Sequence, residues 1–158
     1  MDLKGKLVHW LRDAHALERA VEKILEGHAR AARAYPELAE RLLSHLGQTH
    51  EHVARVEKGL RLLGSDPSAS ETAAGRILGS LQSAASLALP DPVVTSVAGD
   101  YALEHLEIST YTAIVAAAEA ADQEEIAELS RRTIAEEKEM ADWLREYLPL
   151  LSVKYLTA

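Results

Sequence analysis

Apolar residues recur every three or four positions through four long stretches of the chain, and proline, at 36, 67, 90, 92 and 149 only, falls at their edges. That spacing lays one apolar stripe along each of four helices. The first is predicted over about residues 3–26, where Leu3, Leu7, Trp10, Leu11, Ala14, Val21 and Leu25 form the stripe and Gly27 ends it. The second, 37–63, starts at Pro36, which suits a first turn because the N–H it lacks has no partner there, and stops before Gly64. Asp91 as N-cap and Pro92 open a third over 92–121, carried by Val94, Val97, Tyr101, Ile108, Tyr111 and Val115. Asp122 and Glu125, in capping-box spacing, open a fourth over 123–148, carried by Ile126, Leu129, Thr133, Met140, Leu144 and Leu148 until Pro149 stops it.

Between the second and third helices lies a segment rich in Ser, Ala and Gly, Gly64 to Pro90. Within it Ser68 and Glu71 have the spacing of a capping box and predict a short fifth helix over 71–88. The other two links are short, so each joins an antiparallel pair, whereas the long crossover can carry the chain the length of a bundle. This is the connectivity of a ferritin-like four-helix bundle, all-α, expected here as a single domain over 1–158. Residues 149–158 form an apolar tail able to dock on the bundle or on a second subunit, and a homodimer is expected.

Composition agrees with packed helices. Of 158 residues, 47% are apolar but only 4% aromatic, with no Phe, so the core must be built from Leu, Ala, Val and Ile. A net charge of −8 argues against a phosphate backbone as ligand, and no nucleic-acid partner is expected. No cysteine is present, which excludes disulfides, thiol catalysis, iron–sulfur clusters and thiolate zinc. Any metal must therefore be held by Asp, Glu and His. Met1 to Arg12 has no apolar signal region and no stretch is apolar enough to span a bilayer, so the expectation is no membrane and a cytoplasmic location. Gly-x-Ser-x-Gly, P-loop and dinucleotide glycine patterns do not occur.

Projection at about 100° per residue shows which ionisable side chains interrupt the stripes, where an unpaired charge is costly. Glu18 falls among Leu11, Ala14, Val21 and Leu25, with His15 and Glu22 beside it. His50 falls among Leu43, Leu46 and Val53. Glu104 is surrounded by Val97, Tyr101, Ile108 and Tyr111, with Asp100 and Glu107 on its shoulder, and Glu137 is flanked by Thr133, Ala141 and Leu144. All four lie near mid-helix. Three carboxylates and an imidazole at the waist of an apolar bundle would repel one another unless a cation or shared protons neutralised them. An oxygen-rich donor set with imidazole suits iron or manganese. His45 and His105 read as surface or interface residues, and Glu51, His52, Glu136 and Glu139 as a hydrated face. Glu57 is expected to pair with an Arg or Lys.

Four runs carry a resemblance: His-Trp-Leu-Arg-Asp-Ala-His-Ala-Leu-Glu at 9–18, His-Leu-Gly-Gln-Thr-His-Glu-His-Val at 45–53, Glu-His-Leu-Glu-Ile-Ser-Thr-Tyr at 104–111, and Thr-Ile-Ala-Glu-Glu-Lys at 133–138. In these the chain resembles the YciE/YciF-type bacterial stress proteins, ferritin-like bundles related to rubrerythrin-type di-iron proteins. The resemblance implies metal-ligand positions at Glu18, His50, Glu104 and Glu137, one or two iron or manganese ions, and a small-molecule oxidant such as dioxygen or peroxide. Glu104 or Glu107 would then bridge, Glu18 and Glu137 would be terminal, and His50 would supply nitrogen. A complete two-metal site takes a Glu from each of two helices and Glu-x-x-His from the other two. Against that pattern, Gly47 precedes His50 and Met140 follows Glu137, which leaves two of the six donors missing. Those departures favour an alternative: a degenerate, metal-free bundle serving as a dimeric structural or stress-associated binding module.

Overall fold

The computed structural model describes residues 2–67 and 92–157. Four long helices hold nearly all of them: α1 (Leu3–Ala31), α2 (Pro36–Leu62), α3 (Pro92–Ala120) and α4 (Glu124–Leu156), with one 3-10 turn, Ala32–Ala34, between α1 and α2. No strand occurs among the described residues. The predicted fifth helix over 71–88 and the Asp91 cap lie outside them.

The helix ends follow from local chemistry. Asp2 caps α1 by accepting from the Gly5 N–H at 2.8 Å, which satisfies one of the donors a first turn leaves open. The end of α2 is closed by Gly64 at φ 69, with the Ser65 N–H donating to the Leu60 carbonyl and the Gly64 N–H to Arg61. Asp122, at φ 54, closes α3 in the same way, with the Gln123 N–H donating to Ala118. The expected role of Asp122 as cap of the fourth helix is therefore corrected. The two-residue turn needs a left-handed residue, and Asp is among the few non-glycine types that adopt one readily.

Two predicted boundaries move outward. α1 continues past Gly27 to Ala31 because Ala29 and Ala32 are buried against the core. α4 continues through Pro149 to Leu156 because Tyr147 and Leu151, on either side of it, are buried in the same cluster. Proline removes one intrahelical hydrogen bond, to the carbonyl of the exposed Arg145, and tertiary burial outweighs that loss.

α1 packs chiefly on α2 and α3 chiefly on α4, while α1–α3 and α2–α4 contacts close the bundle. Tyr111 reaches Glu18 while Asp100 reaches His28, so α1 and α3 run antiparallel. Arg41–Glu139 and Lys58–Glu125 fix the same sense for α2 and α4. The end of α2 and the start of α3 thus lie at opposite ends of the bundle. No described helix is long and apolar enough to cross a membrane.

The apolar interior is divided. One cluster holds Leu17, Val21, Leu25, Leu42, Val97, Leu103, Met140, Leu144 and Leu151 among others, and the second holds Leu7, Leu11, Val56, Leu60, Tyr111, Ile114 and Ile126. Between them lies a layer of buried polar side chains contributed by all four helices.

Candidate metal centre

Six ionisable side chains with little or no solvent exposure form that layer: Glu18 of α1, His45 and His52 of α2, Glu104 and Glu107 of α3, and Glu137 of α4. Their spacing explains why they share the inward faces of their helices. Residues 45 and 52 are seven apart, close to two helical turns, and 104 and 107 are three apart, so each pair stays on one face.

Glu137 stands at the centre. Its Oε1 lies 2.8 Å from His52 Nδ1, and its Oε2 lies 3.4 Å from His45 Nε2. Glu18 Oε2 is 3.5 Å from His52 Nδ1, and Glu104 Oε2 is 3.3 Å from His45 Nε2. Two three-residue groups result, each with ligand atoms close enough to hold one ion: Glu18, His52 and Glu137, and His45, Glu104 and Glu137. Glu137 belongs to both and offers one oxygen to each histidine.

These short distances are not well-formed hydrogen bonds. One oxygen of Glu18, both oxygens of Glu104, Glu107 and Glu137, and the inward ring nitrogens of His45 and His52 are buried without a hydrogen-bond partner. Each such atom costs about 1–3 kcal/mol. Together they would rival the roughly 5–15 kcal/mol that stabilises an entire domain, so the layer calls for a neutralising occupant. Four carboxylates and two imidazoles fit a pair of divalent iron or manganese ions in kind and number.

The outer faces of the histidines are tied down. His45 Nδ1 lies 3.0 Å from the Gln48 side-chain oxygen, so it carries the proton and leaves Nε2 facing inward. His52 is turned the other way: its Nε2 donates to Glu136 at 2.7 Å, and Glu136 is gripped by both terminal nitrogens of Arg55 at 2.6 and 2.9 Å. Tyr111, fully buried, donates its hydroxyl to Glu18 Oε1 at 2.5 Å and leaves Oε2 for the centre.

Without a cation, the groups share protons. Burial lifts Glu104 to about 8, opposed in part by His45. Burial and the charges of Glu137, Glu18 and Glu104 push Glu107 well above the usual carboxylate range. Burial also raises Glu18, with His52 pulling the other way. Burial alone would lower both histidines, but the carboxylates beside them raise His45 to about 11 and His52 to about 10. Glu137 also resists burial and stays well below its ordinary value, because both imidazoliums face it.

Glu18, Glu104, Glu107 and Glu137 are brought together as the sequence suggested, but His50 is not. Its side chain is 57% exposed and faces Glu22 at 3.7 Å. His45 and His52, read from sequence as outward, are the inward residues. The error is one of phase. In the sequence, Leu43 and Leu46 suggest the buried face of the second helix, yet Leu43 is exposed, and the buried line runs Leu38, Leu42, His45, Thr49, His52, Val56, Leu60. That line was visible from Leu38 to Val56 as a seven-residue repeat once His and Thr are allowed to face inward.

The missing donors are relocated as well. Gly47 is exposed, and a methyl group added there would meet nothing, so it is not a vacated ligand position. The residue three before His52 is Thr49, whose hydroxyl donates to the His45 carbonyl. Met140 is fully buried in apolar surroundings. Glu107 and His45 restore a total of four carboxylates and two imidazoles by another distribution over the helices. Glu57 pairs with Arg61 at 3.7 Å, as expected, and also with His15 at 3.2 Å. Asp100 is buried against His28 at 2.8 Å.

The family described as "Domain of unknown function (DUF892)" matches residues 2–157. The crystal structure of a protein from Xanthomonas campestris is similar, with 33% identity over 99% of this chain and 97% of that one and a TM-score of 0.83. The Escherichia coli stress protein YciF is 20% identical over 94% of this chain and 95% of its own, at a TM-score of 0.75. The bacterioferritin of Desulfovibrio desulfuricans, solved with its diiron site in different catalytic states, is 19% identical over 99% of this chain and 87% of its own, also at 0.75. The last two likenesses establish a shared ferritin-like four-helix fold.

Proposed function

The chain belongs to the DUF892 family, and from that premise we propose that it is a ferritin-like protein binding two iron or manganese ions and acting on iron, dioxygen or peroxide under stress. One observation carries the reading: four carboxylates and two imidazoles meet between two apolar clusters with their inward atoms unpartnered. Glu18, His52 and Glu137 would hold one ion, His45, Glu104 and Glu137 the other, and Glu107 would add a further carboxylate. Bound iron or manganese would supply one-electron redox chemistry at the centre. The protein's share is to fix the donors, through Tyr111 on Glu18 and Gln48 and Glu136 on the histidines, and to exclude bulk water with the apolar clusters on either side. The diiron site named for the Desulfovibrio bacterioferritin and the stress role named for YciF support the same reading. Pairing of two copies belongs to it too, because α4 ends with Leu150, Val153 and Leu156 exposed.

The test is elemental analysis of untagged protein expressed with iron and manganese supplied, beside Glu104→Ala. About two equivalents per chain, reduced in the variant, support the reading. Equal absence of metal from both proteins would overturn it and leave a structural bundle.

A further inference from the structure

The two halves of the centre are built from the same donor types but are supported unequally. In the half formed by Glu18, His52 and Glu137, every donor other than the shared Glu137 is held from behind. His52 donates to Glu136, Glu136 is held by two nitrogens of Arg55, and Arg55 also reaches the Thr133 hydroxyl at 3.3 Å. Glu18 has one oxygen fixed by Tyr111, which leaves the other with a single direction in which to act. In the half formed by His45, Glu104 and Glu137, His45 is backed by the neutral amide oxygen of Gln48, and Glu104 has no hydrogen bond on either oxygen.

Two physical consequences follow. A charged acceptor behind an imidazole strengthens its other nitrogen as a donor more than a neutral amide does. A carboxylate already oriented loses less freedom on capturing an ion than one whose two oxygens are unrestrained. Both effects favour the same half.

We propose that the centre fills in order: the Glu18–His52–Glu137 half takes the first ion tightly, and the His45–Glu104–Glu137 half takes the second more weakly and releases it first. Glu136 and Arg55 are the positioning residues that create the difference. This inference rests on the two-metal reading above but makes a separate claim.

The experiment is anaerobic titration of metal-free protein with Co(II), followed by its visible absorption and by calorimetry, in wild type, His52→Ala, His45→Ala, Glu136→Gln, Glu136→Asp and Gln48→Ala. Wild type should bind in two phases whose affinities differ by about tenfold or more, and His45→Ala should keep the tighter phase while His52→Ala loses it. Glu136→Gln should weaken the first phase by about 10- to 100-fold and change its spectrum, Glu136→Asp should restore part of both, and Gln48→Ala should leave the first phase unchanged. Circular dichroism and melting of the metal-free variants identify any that fail to fold, and Arg55→Gln, expected to act in the same direction as Glu136→Gln, then takes the place of that variant. Two equivalent sites in wild type, or a tight phase that survives His52→Ala and is lost in His45→Ala, would overturn the ordering while leaving the two-metal reading intact. Absence of Co(II) binding by wild type would overturn both.

Discussion

Glu137 Oε1 lies 2.8 Å from His52 Nδ1, a contact that ties α4 to α2 at mid-height while the second oxygen of the same carboxylate faces His45. A single side chain therefore serves both halves of the polar layer. Replacing Glu137 with Ala is expected to abolish uptake of both ions, whereas Glu18→Ala should spare the His45 half. Metal stoichiometry by elemental analysis distinguishes the two outcomes.

His50 and His52 stand two residues apart on α2 and face opposite ways, one exposed and one buried. His50→Ala is expected to leave metal content and melting temperature unchanged within error, and His52→Ala to remove about one of two equivalents. If His50→Ala lost metal and His52→Ala kept it, the phase of α2 described above would be wrong.

The metal-free protein should grow less stable as pH rises above neutrality. His45 and His52 have folded values near 11 and 10, above the ordinary 6.5, so their contribution is complete below about pH 6.5 and is lost as pH climbs through 10 to 11. Glu104, held near 8 rather than 4.5, acts in the same direction: the folded state keeps a proton that the unfolded chain has released, which costs stability between about pH 4.5 and 8. Glu137, held low, contributes stability that is lost only as pH falls below 4.5. Urea midpoints measured from pH 6 to 9 should fall steadily for the metal-free form.

Metal capture should release protons, because the same histidines and Glu104 carry them near pH 7 and an ion displaces them. Affinity should rise from pH 6 to 8. Calorimetry in buffers of different ionisation enthalpy measures the release directly, and buffer-independent heats would contradict it.

Two substitutions test the packing. Gly47 is exposed within α2 with open space around it, so Gly47→Ala should stabilise by about 0.5–1 kcal/mol and leave metal uptake unchanged. Leu151 is buried beyond Pro149, and Leu151→Ala should cost about 2–5 kcal/mol if the last turns of α4 belong to the core. Thermal melts report both, and a negligible loss for Leu151→Ala would mean that these turns do not dock.

The sequence by itself determined the four long helices found among the described residues, their starting points to within a residue, the antiparallel pairing of short-linked neighbours and the need for a long crossover. Period and punctuation are local properties, and the stripes of α1 and α4 are apolar enough to set their own phase, whereas α3 is apolar nearly all round and buries Asp100, Leu103, Glu107 and Ile114 while Tyr101, Ile108 and Val115 are only half-buried. Glu18 and Glu137 were legible for the same reason, as charges standing inside well-marked stripes, and Glu104 as a charge with apolar neighbours on every side. Only the tertiary structure decided the phase of α2, because its inward line is interrupted at its middle by His45, Thr49 and His52 while Leu43 faces out. Which side such a helix buries depends on what its neighbours set against the polar groups, and here Glu136 of α4 accepts from His52 while the carboxylates of Glu104 and Glu137 face the imidazoles. The passage of α4 through Pro149 was settled in the same way, by burial of Tyr147 and Leu151 against distant residues outweighing a local preference to stop.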